Sequence, residues 1–189
     1  MKDLVIQAAV AQLISLPRVL FMKQTHSDVV AVVDENSVDV SADAMVTTVR
    51  GIGIAAMAAD CLPITFDGGS VIGVAHAGRL GVGSQIALKT VMQMRELGAI
   101  EIKATIGPSI CGNCYEVSPE MYQEFCLTNP DARTTDSLHA LNLHAAVRAQ
   151  LESVNVEVSD VGICTLENER YFSHRRGGEP EREAGIISL

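Results

Sequence analysis

Tryptophan is absent from this sequence, and seven aromatic residues, three Tyr and four Phe, serve 189 positions. The interior therefore has to be built from Val, Ile, Leu, Ala and Met, and the length suffices for one domain, residues 1–189, with a sizeable core. Long apolar runs are lacking too, since none approaches the roughly 18 residues that span a bilayer. The apolar N-terminal stretch is interrupted by Gln7 and Gln12 and has no small-residue cleavage site, so it does not read as a signal peptide. Basic clusters are scarce. A net charge of −9 spread along the chain argues against a nucleic-acid surface, which needs gathered Lys and Arg to neutralise phosphates. The densest basic patch, His174-Arg175-Arg176, is sized for one small anion. Five cysteines, an odd number, do not form a disulfide framework. Thiols free for metal or chemistry place the protein in a reducing, cytoplasmic compartment.

What is present is organised around residues 58–83. Two short apolar runs flank the turn Phe66-Asp67-Gly68-Gly69-Ser70, with Cys61 at the head of the first and His76 at the end of the second. Gly73 inside the second run marks a strand where another backbone passes close. Gly78, Gly81 and Gly83 mark a tight loop before a helix. Upstream, residues 3–14 have helical composition and Pro17 ends that helix. Strands are expected at 19–22, 29–33, 44–48 and 52–57. Downstream come a helix over 83–97 with Gly98 as its cap, a strand over 100–106 and an irregular loop over 109–116. A helix opened by Ser118-Pro119 follows, then an amphipathic helix over 141–154, a strand over 156–164 and a last short strand at Ile186-Ile187. Adjacent strands joined by short turns point to partly antiparallel sheets. The fold class is mixed α/β, with stacked layers of sheet and helices.

Three candidate ligands, His26, Cys61 and His76, each adjoin an apolar strand. Donors of types N, S and N leave one position open on zinc, the pattern of a catalytic site. Cys61 and His76 also suit a nucleophile and its base. Intervals of 35 and 15 residues match no local metal motif, so the plain reading stands beside these: two satisfied loop histidines and a small core hydrophobe. Cys111-x-x-Cys114 has no second such pair to complete four ligands and reads as a tight turn; Cys126 and Cys164 read as core. Arg79, Arg175, Arg176 and Arg182 are candidate anion binders, with Arg175 assigned to the solvated surface. The Gly78–Gly83 amides, leading into a helix, offer a second anion cradle. His139 and His144 read as exposed.

Taken in order, several segments resemble the YfiH-type laccase-domain family, also called multicopper polyphenol oxidase-like. They are Lys23-Gln24-Thr25-His26, Ala42-Asp43-Ala44 with Val46-Thr47, Ala59-Asp60-Cys61-Leu62-Pro63, Ala75-His76-Ala77-Gly78 and Ile106-Gly107-Pro108 through Cys114-Tyr115-Glu116-Val117. Tyr171-Phe172-Ser173-His174-Arg175-Arg176 and Arg182 match as well. The resemblance implies a layered α/β fold and zinc on His26, Cys61 and His76, with Arg79, Arg176 or Arg182 binding phosphate. It also implies purine nucleoside chemistry: phosphorolysis of adenosine, inosine or methylthioadenosine, and deamination of adenosine. Copper-dependent phenol oxidation is the older assignment in the family. Five histidines are too few for the usual multicopper set. A metal-free cysteine hydrolase and a non-enzymatic binding module complete the alternatives. The chain departs from the pattern in reading Arg79-Leu80-Gly81 where the family has Trp-Arg-Gly, and in carrying Ser27 for Gly. The family's N-terminal segment with its Thr-Arg-x-Gly-Gly motif is missing, and a sheet edge uncovered by that loss leads to the expectation of a homodimer.

Overall fold

Alternation along the strands sorts the side chains into three layers. The computed structural model describes residues 16–134, 139–178 and 180–189; the helix expected over residues 3–14 lies outside them. β1 (Arg18–Phe21), β4 (Ile52–Ala58) and β9 (Glu183–Ser188) form a three-stranded sheet in the order β1-β4-β9. In it β1 runs parallel to β4, and β9 antiparallel to it. A six-stranded sheet is ordered β2 (Val30–Val32), β3 (Ala44–Thr47), β6 (Ile72–Ala77), β5 (Leu62–Asp67), β7 (Lys103–Ile106) and β8 (Glu157–Asp160). Its outermost pairs are parallel and its inner pairs antiparallel. Five α-helices complete the described residues: α1 (Arg79–Gly83), α2 (Ile86–Glu96), α3 (Pro119–Thr128), α4 (Leu143–Glu152) and α5 (His174–Gly177).

Met45, Ile72 and Val74 of the large sheet pack between the sheets, on Leu20, Ile54 and Ala56. Their neighbours in sequence, Val46 and Ala75, turn the other way and join Ile64 and Phe66 beneath Ile86, Val91, Met94, Leu143 and Val147 of the helices. Burying one such aliphatic side chain is worth about 1.5–3 kcal/mol. A one-residue slip would turn a whole strand's set to the wrong layer, so the two-residue period holds the register.

The hairpin and the strands at 19–22, 29–33, 44–48 and 52–57 are found where expected, within a residue or two. Other elements differ for local reasons. The helix expected over 83–97 is found as α2, starting only at Ile86 because Gln85 before it takes a left-handed φ of 62°, and a further short helix, α1, precedes it. Gly78–Gly83 is thereby the short helix α1 and not a tight loop. The atoms nearest a Cβ at Gly73 belong to side chains and not to another backbone: Met94 Sδ at 3.0 Å, Thr90 Cγ2 at 3.1 Å and Val46 Cγ1 at 3.3 Å. The strand expected over 100–106 begins only at Lys103, because its partner β5 ends at Asp67 opposite. The strand over 156–164 stops at Asp160, paired with Ile106, beyond which Gly107-Pro108 leads β7 out of the sheet. Ser118 caps α3 with Pro119 in its first turn, as expected.

Topology concentrates strand ends in one place. The parallel strands β1 and β4 finish on the same edge, where β6 also finishes and β5 begins. The β4–β9 register, Ala58 opposite Glu183, brings the start of β9 there too.

Candidate metal centre and active site

Cys61 directly precedes β5, and His76 is the penultimate residue of β6. Their antiparallel register, Leu62 opposite Ala77, sets Cys61 against Gly78. A Cβ at Gly78 would lie 2.9 Å from Cys61 Sγ and 3.0 Å from His26 Cδ2, so only glycine leaves that space open. His26 arrives from the loop between β1 and β2 with a left-handed φ of 59°, a conformation that costs on the order of 1 kcal/mol. Asp43 offsets the cost. Its Oδ1 accepts the His26 amide at 3.0 Å, and its Oδ2 accepts the amides of Thr25 at 3.1 Å and Ser27 at 2.6 Å.

The same carboxylate reaches the second histidine. Asp43 Oδ1 lies 2.9 Å from His76 Nδ1, and Asp43 is fully buried. Nδ1–H is thereby held by the carboxylate and Nε2 is directed away from it, the arrangement of metal-binding histidines. Cys61 Sγ is 3.8 Å from His26 Nε2, and the donor atoms of His26, Cys61 and His76 all lie within 4.8 Å of one another. One nitrogen, one sulfur and one further nitrogen converge with an open side, a donor set that fits a borderline-soft divalent cation.

Charge is polarised across the three. Burial works against the Cys61 thiolate, but His26 and His76 outweigh it and hold the thiol down at about 7. Burial also opposes charge on His76, yet the Asp43 bond and Cys61 raise it to about 9. Asp43 itself stays far below the usual carboxylate range: burial pushes it up, and bonds from His76 and Ser27 more than reverse that. His26 is raised chiefly by its contact with Cys61.

The three donors open onto a cleft of about 1600 Å³, lined among others by Phe21, Met57, Tyr115, Arg175 and Arg182. Arg175, assigned to the surface from sequence, stands in this wall. Its guanidinium lies 5.1 Å from the Tyr115 ring centre, its Nη1 bonds Glu116 O at 2.7 Å, and its amide donates to Asp60 Oδ2 at 2.7 Å. Arg182, at the head of β9, lines the cleft and donates to Glu181 O. Arg79 starts α1 and interacts with Tyr115, whose phenol is pushed up by burial and partly relieved by Arg79. Arg176 is placed differently. Its guanidinium bonds the carbonyls of Thr165, Leu166 and Tyr171, fastening that loop, and it does not line the cleft. The Gly78–Gly83 amides stand at the start of α1, where the Val82 amide is taken by Gly78 O, and they do not line the cleft.

Asp43, Gln24, Asp60 and Tyr115 were not singled out for roles from sequence. Gln24 bonds both the amide and the carbonyl of Met57, and Asp60 ties Thr165 Oγ1 to the amide of Arg175. Two signals for Asp43 were its place in the family segment Ala42-Asp43-Ala44 and an acid directly before a strand as apolar as Ala44-Met45-Val46. His144, expected exposed, is instead partly buried between Asp160 Oδ2 at 2.7 Å and Ser109 Oγ at 2.9 Å. His139 is also partly buried, edge-on to the Tyr122 ring. Cys126 lies in the core as expected. Cys164 does not; it meets Cys111 and Cys114 at the foot of the loop that carries Tyr115.

Residues 6–189 match the family described as multi-copper polyphenol oxidoreductase laccase. The chain belongs to this laccase family. A purine nucleoside phosphorylase of Corynebacterium glutamicum is 39% identical over 188 residues, covering 93% of this chain and 76% of the relative. One of Streptomyces coelicolor is 39% identical over 182 residues, covering 91% and 75%. An adenosine deaminase from an unknown prokaryotic organism is 33% identical over 193 residues, covering 87% and 72%. Among solved structures, a Neisseria meningitidis protein of the DUF152 family superposes with a TM-score of 0.84 at 30% identity, covering 96% of this chain and 78% of that one. Bacillus licheniformis YfiH gives 0.82 at 25%, covering 97% and 79%. The layered α/β fold of this laccase-family chain is thus shared with these neighbours, and no helix of its described residues is long and apolar enough to cross a membrane.

Proposed function

We propose that this laccase-family protein is a zinc-dependent purine nucleoside enzyme, cleaving nucleosides with phosphate or deaminating adenosine. The observation that carries the reading is the convergence of His26, Cys61 and His76 at the base of a cleft whose wall bears Arg175 and Arg182. His26 Nε2, Cys61 Sγ and His76 Nε2 would hold the metal, which when bound would supply Lewis acidity. Asp43 holds His76 in one tautomer and, through three loop amides, keeps His26 in place. Arg182 and Arg175 bind the phosphate, because guanidinium meets phosphate with two parallel donors and keeps its charge. Arg79 acts on the site by orienting Tyr115, and Arg176 by fixing the loop beside Asp60. The purine lies against the apolar part of the wall at Phe21 and Met57. In phosphorolysis a phosphate oxygen forms the new bond to the ribose anomeric carbon as the glycosidic bond breaks and the purine leaves. In deamination water adds at C6 of adenine and ammonia leaves. Five free thiols support a cytoplasmic setting.

A second reading rests on a specific observation: with no metal, the lowered Cys61 thiol beside two histidines is a competent nucleophile. Adenosine incubated with zinc-loaded protein, with and without phosphate, separates these. Adenine and ribose 1-phosphate formed only with phosphate mean phosphorolysis, and inosine means deamination. Full turnover by His76→Ala, or turnover unaffected by chelation, overturns the zinc reading. Copper competes for the same N, S, N donors, so activity of the zinc-loaded and copper-loaded forms is compared side by side.

A further inference from the structure

A second group of soft donors lies outside the cleft. Cys111 and Cys114 are three residues apart in one turn, and Cys164 and Glu167 are three residues apart in another. Cys111-x-x-Cys114 thus meets Cys164-x-x-Glu167, with a carboxylate where a fourth thiol would complete two paired turns. The three sulfurs and the carboxylate oxygen all lie within 4.8 Å of one another. Tetrahedral coordination with arms of about 2.3 Å to sulfur needs donors roughly 3.7 Å apart, and Cys114 Sγ is already 3.5 Å from Glu167 Oε1.

Both turns are built so that their donors converge. The Cys111 amide donates to Cys164 Sγ at 3.3 Å. Amides aimed at a sulfur stabilise a thiolate and accompany metal-bound cysteine. The amides of Cys114 and Tyr115 close the first turn on Cys111 O, each at 3.1 Å. Gly112 is pressed against Asn142, the cap of α4, where a Cβ would meet the Asn142 side chain at 2.7 Å. A short parallel bridge, Ser109 with Cys164, holds the two segments together. All five cysteines are free, and a disulfide between any two of these three would leave a third thiol and a carboxylate facing it.

We propose that Cys111, Cys114, Cys164 and Glu167 form a second metal site, closed and four-coordinate, that takes zinc. Four protein donors leave no open position, so the site is structural. It cross-links the loop carrying Tyr115 to the loop that holds Asp60 through Thr165, and so stiffens the cleft wall from behind.

Native mass spectrometry of the full chain, reduced, loaded with zinc and freed of excess, tests this. Two zinc ions per chain are expected for the unaltered protein, one for Cys114→Ser, one for His76→Ala and none for the combined variant. With cobalt in place of zinc, Cys114→Ser loses most of the thiolate-to-metal absorption and His76→Ala only the smaller share. One zinc per chain, lost in His76→Ala and retained in Cys114→Ser, overturns the second site while leaving the cleft site standing. A Cys111–Cys164 or Cys111–Cys114 disulfide that forms in the zinc-loaded protein once reductant is removed overturns it as well. Glu167→Gln, which leaves the three thiols intact, guards against misfolding: a second zinc bound at least 10-fold more weakly is expected, and unchanged affinity counts against the proposal.

Discussion

Asp43 and His76 are joined by a 2.9 Å contact between Oδ1 and Nδ1 in the buried interior, and the same carboxylate gathers the amides of Thr25, His26 and Ser27. One side chain therefore sets the tautomer of one metal donor and the backbone of another. Asp43→Asn replaces one acceptor by a donor that faces N–H groups. The expected result is metal affinity 10- to 100-fold lower and a stability loss of about 3 kcal/mol. Competition with a chelator of known affinity and urea unfolding measure the two; an unchanged metal affinity would contradict the role given to Asp43.

Gly78 has an extended backbone, φ −76° and ψ 179°, which any residue adopts, so alanine there acts through space alone. Its Cβ would press on Cys61 Sγ and His26 Cδ2. Gly78→Ala is expected to weaken metal binding and to cost about 1–3 kcal/mol from overpacking. Titration of zinc into the variant and its thermal unfolding check both. Metal binding that survives intact would mean the donors do not meet at this glycine.

In metal-free protein the Cys61 thiol sits at about 7 and His76 at about 9, so between those values thiolate and imidazolium coexist. Alkylation of Cys61 by iodoacetamide should rise through a midpoint near about 7, not near the ordinary thiol value of 9.0. Zinc should suppress it, since a coordinated thiolate is withdrawn from reaction. Peptide mass analysis after timed quenching across pH follows the midpoint; a value near 9.0 would remove the basis of the cysteine-nucleophile reading.

Asp160 meets His144 at 2.7 Å and also accepts the Gly162 amide. Burial pushes its carboxyl up, but these bonds outweigh it and hold it below its ordinary 3.8. A folded-state value below the unfolded one means the stabilisation is present above about 3.8 and fades as pH falls through the folded value. Asp160→Asn should cost about 1–2 kcal/mol near neutrality, and the gap to the unaltered protein should narrow as pH falls below 3.8. Thermal melts from pH 7 to 2.5 follow it; a gap that widens on acidification would reverse the sign argued here.

Strand and helix identities were legible in the residues because period and punctuation are local. Val19-Leu20-Phe21, the hairpin about Gly68-Gly69 and the Ser118-Pro119 start are written in consecutive side chains, and so are the family segments around His26, Cys61 and His76. Ends of elements were less legible, since β7 starts where β5 stops opposite it and β8 stops where β7 does. Sequence alone determined that a nitrogen, a sulfur and a nitrogen adjoin apolar strands in a chain with free thiols. That Asp43 binds two of their segments, that Arg175 faces the cleft while Arg176 ties down a loop, and that Cys111 meets Cys164 across 53 residues only the tertiary structure decided. Strand register and loop closure bring such groups together, and neither leaves a trace in the spacing of the residues they join.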